Sequence, residues 1–127
     1  GRGHHRCMRR GLILFAHGAR SAAWSRPLEA LEREFAAAVP DRTLRSAFLE
    51  LQQPDLPTVI DELAATHDRI DVLPVFWAAG GHVARDLPPL LEAARQRHPH
   101  LRLRALPVLS ELPGVVPAIV RAALAEG

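Results

Sequence analysis

Residues 70–83 read IDVLPVFWAAGGHV, an almost continuous apolar run that leads into a pair of glycines. Apolar runs of this kind are typical of central parallel strands, because such strands are buried on both faces of the sheet. Asp86 and Pro88 follow, and an acidic cap with an early proline indicates the start of a helix. We therefore predict a strand over 70–77 and a helix that ends near His98 and Pro99.

The same pattern of a strand followed by a helix occurs three more times along the chain. The other predicted strands cover residues 11–16, 44–51 and 101–108. The other predicted helices open at Ser25 and Pro27, at Asp55 and Pro57, and at Ser110. The second of these is expected to run to about Asp68, and Pro117 is expected to kink or delay the last one. Four such units in series predict an α/β domain with a four-stranded parallel sheet and helices on both faces.

The character of each strand predicts its position in the sheet. Strands 1 and 3 are nearly continuous apolar runs, as expected for central strands. Residues 101–106 alternate as LRLRAL, and the second strand contains Arg45 and Ser46, so both suit an edge. The flavodoxin-like order 2-1-3-4 meets these conditions and allows right-handed crossovers. In such a sheet, ligands bind where the winding reverses, at the carboxyl ends of strands 1 and 3.

Charge and composition exclude several classes of function. Residues 1–10 contain four arginines and no acid; they are expected to be a disordered or extraneous basic tail before a single domain over 11–127. The rest of the chain has 12 arginines and 14 acidic residues, so the domain is not a basic nucleic-acid binder. No apolar run approaches the roughly 18 residues that a membrane span needs. A single cysteine, Cys7, allows no internal disulfide, which favours a cytoplasmic setting.

Three polar residues are expected to converge at the predicted crevice. His17 directly follows strand 1, His82 lies in the predicted loop after strand 3, and Glu50 ends strand 2. Two imidazoles and a carboxylate suit a divalent first-row transition metal. Taken singly, a histidine after a strand is more often a polar loop residue, and an acid at a strand end more often just meets water. The metal hypothesis therefore depends on their joint placement.

The loops that carry the two histidines add candidate substrate contacts. Gly80 and Gly81 precede His82 and allow a close approach of backbone to ligand. Arg20 and Arg85 follow the histidines and suit bidentate pairing with substrate carboxylates, although an exposed arginine with a local partner such as Asp86 is an equal alternative. Neither loop matches a phosphate-binding pattern, so the sequence offers no support for ATP or dinucleotide chemistry.

Four segments of the chain resemble the CbiX-type sirohydrochlorin chelatases. They are LILFAHGAR at 12–20, AFLEL at 47–51, VLPVFWAAGGHVARDLP at 72–88 and LPVLSELPGVV at 106–116. The GGHV segment is the most distinctive of these, whereas HGAR alone is weak. One departure is Ala19, where these chelatases usually have serine, so a hydroxyl near the substrate is missing.

The resemblance implies a specific activity and site. Members insert cobalt or ferrous iron into sirohydrochlorin without ATP, for cobalamin or sirohaem. It assigns His17 and His82 as metal ligands and as catalytic residues together with Glu50, with Arg20, Arg85, Gly80 and Gly81 on the substrate side. The divalent metal (Co²⁺, Fe²⁺ or Ni²⁺) is then a substrate, with no permanently bound cofactor. The length resembles the single-domain form, which pairs as a homodimer.

Other functions remain open at this level. A metal or tetrapyrrole carrier without catalysis would use the same residues. A metal-dependent hydrolase would need more carboxylates than Glu50 supplies at the crevice. A flavin binder is disfavoured because the first loop has no hydroxyl-rich phosphate cradle and the chain has no tyrosine.

Overall fold

The computed structural model describes residues 9–127, apart from the side chains of Trp24 and His82. The strands are β1 Arg10–Ala16, β2 Thr43–Phe48, β3 Arg69–Pro74 and β4 Arg102–Ala105. The helices are α1 Ala22–Ala38, α2 Leu56–Ala64, α3 Gly81–Arg97 and α4 Val115–Glu126, with a 3₁₀ turn at Leu109–Glu111 before α4. Within the described part of the chain, no helix is long and apolar enough to cross a membrane.

The four strands form one parallel sheet in the order β2-β1-β3-β4, so the predicted topology is confirmed. In β1, Leu14 lies between Ser46 of β2 and Leu73 of β3. Because all strands run the same way, the exits of β1, β2 and β3 lie side by side at one edge of the sheet. This edge is where the sequence analysis places the site.

The two faces of the sheet are covered unequally. One face carries Ile13, Phe15 and Val72, and it packs against α2 and α3. Those two helices contribute nine buried apolar residues: Leu56, Val59, Ile60, Leu63, Ala64, Val83, Leu87, Leu91 and Ala94. The other face has Leu12, Leu14 and Leu73, whose helical neighbours on α1 are only partly buried. The main core therefore lies on the α2–α3 side.

The predicted helix starts are wrong for α1 and α3. Helix α1 begins at Ala22, three residues before Ser25, because the Ser21 side chain caps it by accepting from the Ala23 N–H at 3.2 Å. Helix α3 begins at Gly81 rather than at Asp86, which places Pro88 and Pro89 inside the helix. A proline removes only one backbone bond and kinks a helix locally, so it need not mark the first turn.

The other boundaries differ by a few residues. Strand β1 begins at Arg10, which pairs with Arg69, so the last residue of the predicted tail belongs to the sheet. Residues 1–8 of that tail lie outside the described part of the chain. Helix α2 ends at Ala64 rather than near Asp68, and α4 begins only at Val115. The delay of α4 agrees with the prediction from Pro117, which then falls in its first turn.

The start of α2 gives a test of this architecture. Asp55 caps the helix by accepting from the Thr58 N–H at 3.0 Å, and hydrogen bonds from the Thr58 side chain and backbone lower the pKa of this carboxyl below 3.8. Asp55→Ala should therefore cost about 1 kcal/mol of unfolding free energy at neutral pH. Because the folded pKa is lowered, this contribution is complete at neutral pH and lost as the pH falls through that pKa.

Urea unfolding at pH 7 and in the acid range measures the effect. Asp41→Ala is the matched control, since Asp41 is an exposed carboxylate in the turn before β2. An equal loss for both variants, or a loss at Asp55 that does not change with pH, would contradict the assignment of Asp55 as a cap.

Candidate functional site

The side chains of His17 and Glu50 meet at the carboxyl edge of the sheet. His17 is the first residue after β1, and Glu50 lies in the bend after β2. The distance from His17 Nε2 to Glu50 Oε2 is 2.8 Å, and more than half of each side chain is exposed. The structure thus brings together two of the three residues expected to handle the metal.

Both ring nitrogens of His17 have an oxygen atom within hydrogen-bond distance. Nδ1 lies 3.2 Å from the Gly18 carbonyl oxygen, and Nε2 faces the Glu50 carboxyl group. These contacts orient the imidazole ring beside the carboxyl group. A metal ion that binds His17 needs a ring nitrogen that carries no proton.

Backbone bonds hold the two loops against each other. The Leu49 N–H donates to the Ala16 carbonyl at 2.9 Å, and the Glu50 N–H donates to the His17 carbonyl at 3.0 Å. The ladder between β1 and β2 thus continues into the site. In addition, Gln52 Oε1 accepts from the Ala19 N–H at 2.7 Å.

Position 18 requires glycine for two reasons, its backbone conformation and the close approach of the Glu50 backbone. Its φ is 97°, a left-handed value that side chains rarely adopt, and a Cβ there would overlap the Glu50 carbonyl oxygen. Leu51 also has a positive φ, 68°, although it is not glycine. Backbone strain of this kind is concentrated at functional sites, where surrounding contacts maintain it.

A cavity of about 500 Å³ lies on the α3 side of the pair. Both His17 and Glu50 line it, and Gly81, Val83 and Asp86 line it from α3. Asp86 had been interpreted only as a helix cap or a partner for Arg85; its place in the cavity was missed. The sequence feature that could have indicated this place is the position of Asp86, one helical turn after the GGHV motif.

The predicted loop position of His82 is wrong, because His82 is the second residue of α3. Its neighbours Gly81 and Val83 both line the cavity, so the His82 backbone lies at the cavity wall. Its side chain lies outside the described part of the chain. Among the side chains that are described, no group of three possible ligands converges on one point.

A larger cavity of about 1020 Å³ lies on the α1 side of the pair. His17 and Arg20 line it, together with the apolar residues Phe48, Leu51 and Val75. The lining is mostly apolar with few polar groups, as is usual for sites that bind organic ligands. His17 lines both cavities, so it lies between them.

The remaining candidate residues surround the α3 end of the site. Arg85 is exposed on α3, and a Cβ added at Gly81 would lie 3.6 Å from its guanidinium group. A Cβ at Gly80 would meet nothing within 4 Å, so the protein itself leaves room there. His67, His98 and His100 border a different cavity around Ala65, away from His17.

The site geometry predicts unequal effects of the same substitution at two glycines. Gly18→Ala should destabilise the fold, since a left-handed residue with a Cβ costs about 1–2 kcal/mol before the overlap with Glu50 is counted. Gly81→Ala has room at the first residue of α3, so it should leave the stability unchanged or slightly higher. Thermal unfolding of both variants measures the difference. Equal midpoints would show that the His17 loop is not held as described.

Comparison with known proteins connects this geometry to a family. Curated sirohydrochlorin cobaltochelatases of Methanothermobacter thermautotrophicus and Methanopyrus kandleri are 30% and 33% identical to this chain over 82 residues. These alignments cover 64% and 63% of this chain and 57% of each relative, so the chain matches little more than half the length of the curated relatives.

Solved structures with a similar fold include proteins of related description. A protein of Marinobacter aquaeolei VT8, described as a CbiX protein of cobalamin (vitamin B12) biosynthesis, has a TM-score of 0.77 and 26% identity, covering 92% of this chain and 96% of that one. The sirohydrochlorin chelatase SirB of Bacillus subtilis subspecies spizizenii, in complex with cobalt, shares the fold with a TM-score of 0.76 at 23% identity, over 93% of this chain and 51% of its own. The CbiX family model matches residues 11–126, and this chain therefore belongs to the CbiX family.

Proposed function

We propose that this chain inserts a divalent metal ion into a sirohydrochlorin-type tetrapyrrole without ATP. The observation that carries the proposal is the contact between His17 and Glu50, with a large apolar cavity on one side and a smaller cavity lined by Asp86 on the other. The curated cobaltochelatases named above support the choice of reaction. The metal (Co²⁺, Fe²⁺ or Ni²⁺) is a substrate in this scheme, and the chain carries no permanent cofactor.

The first step is the exchange of a proton for the metal at His17. Loss of the Nε2 proton frees a nitrogen lone pair beside the Glu50 carboxylate, and together they bind the ion. His82, at the wall of the same cavity, is the proposed second imidazole ligand. Because the pair is more than half exposed, the ion keeps open coordination positions for the macrocycle nitrogens. Modest affinity is useful here, since the metal has to leave.

The second step is insertion, which must release two protons. Two pyrrole N–H bonds break as the metal–nitrogen bonds form, so the macrocycle loses two protons for one dication. As the metal leaves, His17 Nε2 is proposed to accept one of these protons, and Glu50 to accept the other and release it to water.

The macrocycle is proposed to occupy the larger cavity. Leu51 lines that cavity, and Trp77 lies exposed in the loop three residues after β3, so both are proposed to offer apolar surface to the ring. Arg20 lines the same cavity, and Arg85 lies at the α3 end of the site, where both are proposed to pair with substrate carboxylates. Positioning of the two reactants is the main source of rate in this scheme.

A second copy of the chain is proposed to complete the site. One four-stranded sheet leaves the His17 and Glu50 side chains largely in water, whereas ligand pockets bury roughly 70–90% of a ligand. A homodimer supplies the missing wall. The single cysteine favours a cytoplasmic location for this enzyme.

The central test removes each metal-handling group. His17→Ala, His82→Ala and Glu50→Gln should each lose most of the insertion rate, because each removes a ligand or proton acceptor. All three lie at or beyond the ends of the strands, so stability should change by no more than about 1 kcal/mol. Anaerobic absorbance spectroscopy of sirohydrochlorin with cobalt follows the insertion, and calorimetry follows cobalt binding.

The matched control is His100→Ala, since His100 borders the cavity around Ala65 and lies away from the site. If the two histidines act on one ion, the double variant should be scarcely slower than either single variant. A near-native rate in either single variant would remove that histidine from the proposal. Binding of sirohydrochlorin without faster insertion in the unaltered protein would favour the carrier function instead.

The two arginines give a separate test of substrate binding. Arg20→Ala and Arg85→Ala should weaken sirohydrochlorin binding by about 1.5–3 kcal/mol each, the usual contribution of a charged hydrogen bond. Cobalt binding should be unchanged, because neither side chain is a metal ligand. Arg33→Ala, at an exposed position of α1, is the control. An unchanged Michaelis constant would assign the altered arginine to the protein surface.

A further inference from the structure

The side-chain amide of Gln52 has a defined orientation at the wall of the larger cavity. Gln52 lies in the bend after β2 and lines this cavity beside His17. Its Oε1 accepts from the Ala19 N–H at 2.7 Å. A backbone N–H can only donate, so the oxygen end of the amide has to face Ala19. The Nε2 end, which has two N–H donors, therefore points away from the Ala19 N–H.

The two N–H donors of Gln52 are not used by the protein. Within the described part of the chain, no group accepts a hydrogen bond from Nε2, although Gln52 is partly buried. Every fully buried side-chain nitrogen or oxygen among the described residues has a partner. Nε2 has none, so it is open to solvent. Gln52 thus offers a free amide donor at a cavity wall.

The two cavities differ in the charges of the residues that line them. Arg20 lines the larger cavity, and none of the described residues around that cavity is an acid. Glu50 and Asp86 both line the smaller cavity. Opposite charges attract and like charges repel, so a cation is favoured in the smaller cavity and an anionic group in the larger one. A carboxylate of a ligand therefore belongs on the side where Gln52 lies.

The adjacent loop offers little else to such a carboxylate at position 19. Ala19 has no side-chain donor, and its backbone N–H is already bonded to Gln52. The serine that is usual at this position in the chelatases that the chain resembles would supply a hydroxyl. Gln52 instead brings an amide donor to the same place, because its Oε1 is bonded to the Ala19 backbone.

We propose that Gln52 is a substrate-binding residue, whose Nε2 donates a hydrogen bond to a peripheral carboxylate of the macrocycle in the larger cavity. The inference rests on the proposed function, since it takes a tetrapyrrole as the ligand of this cavity. A neutral amide binds an anion without adding positive charge beside His17, which has to accept a metal dication. The bond to Ala19 holds the amide in place before the substrate arrives, so less rotamer freedom is lost on binding.

The variant Gln52→Glu separates substrate binding from the bond between the two loops. Its carboxylate keeps an oxygen that can accept from the Ala19 N–H, but it has no N–H donor and adds a negative charge. Metal-free sirohydrochlorin should therefore bind at least about 10-fold more weakly at neutral pH, as for loss of a hydrogen bond to a charged group. Anaerobic absorbance titration measures the dissociation constant. Thermal unfolding should give a midpoint close to that of the unaltered protein.

The matched control is Gln53→Glu. Gln53 is exposed and lines neither cavity, so this variant adds the same charge one residue further along the chain. It should bind sirohydrochlorin like the unaltered protein. An equal loss in both glutamate variants would attribute the effect to net charge and overturn the proposal.

The variant Gln52→Ala removes the donor and the bond to Ala19 together. It should also bind sirohydrochlorin more weakly than the unaltered protein. Near-native binding by Gln52→Glu, combined with weak binding by Gln52→Ala, would limit Gln52 to joining the two loops and would overturn the proposal.

A measurement on the unaltered protein does not depend on the folding of any variant. The chain has three glutamines and no asparagine, so its ¹H–¹⁵N spectrum contains three side-chain NH₂ pairs. Metal-free sirohydrochlorin should shift the pair of Gln52 and leave those of Gln53 and Gln96 in place. Gln96 donates to Glu92 at 3.1 Å, away from both cavities. An unmoved Gln52 pair in the presence of bound sirohydrochlorin would overturn the proposal.

The outcomes distinguish this inference from the proposed function. If the unaltered protein does not bind sirohydrochlorin, both fail together. If it binds sirohydrochlorin and inserts cobalt, while Gln52→Glu binds the macrocycle equally well, the inference about Gln52 fails alone. The His17 and Glu50 variants test the insertion step separately.

Discussion

The parallel pairing of β1 with β2 and β3 is the constraint on which the site depends. An exposed side-chain contact such as that between His17 and Glu50 contributes only about 0–1 kcal/mol even when both groups are charged, and would not by itself hold two loops in register. The backbone does so instead, because the ladder continues past the strand ends through the bonds from Leu49 to Ala16 and from Glu50 to His17. The side-chain contact is therefore a consequence of strand register.

The same constraint explains the unusual backbone near the site. Gly18 must pass so close to the Glu50 carbonyl that no side chain fits, and Leu51 takes a left-handed conformation immediately after Glu50. Such a residue costs of order 1–3 kcal/mol. The bond from Ala19 to Gln52 joins the two loops on the far side and helps to offset this cost. A rigid loop pair would keep the proposed metal ion correctly placed without a closed set of four ligands.

The sequence predicted the sheet better than it predicted the helix starts. The strand order followed from the apolar or alternating pattern of each strand. The apolar runs of β1 and β3 predicted central positions, and the alternating arginines of β4 predicted an edge. The helix starts were missed because Pro27 and Pro88 resemble first-turn prolines, whereas Ser21 and Gly80 occupy the cap positions. The early start of α3 moved His82 from a loop into a helix. Asp86 and Gln52 were missed because their roles depend on contacts between loops, which no local pattern encodes.

One wall of the larger cavity belongs to the smaller core on the α1 face. Leu28 and Val75 pack against that core, and both also line the larger cavity beside His17. In the single chain these two residues are only partly buried, so the cavity wall is packed on one side only. The backbone ladder positions the His17–Glu50 pair independently of this wall. A change in the packing of Leu28 or Val75 would therefore alter the shape of the cavity without moving the pair.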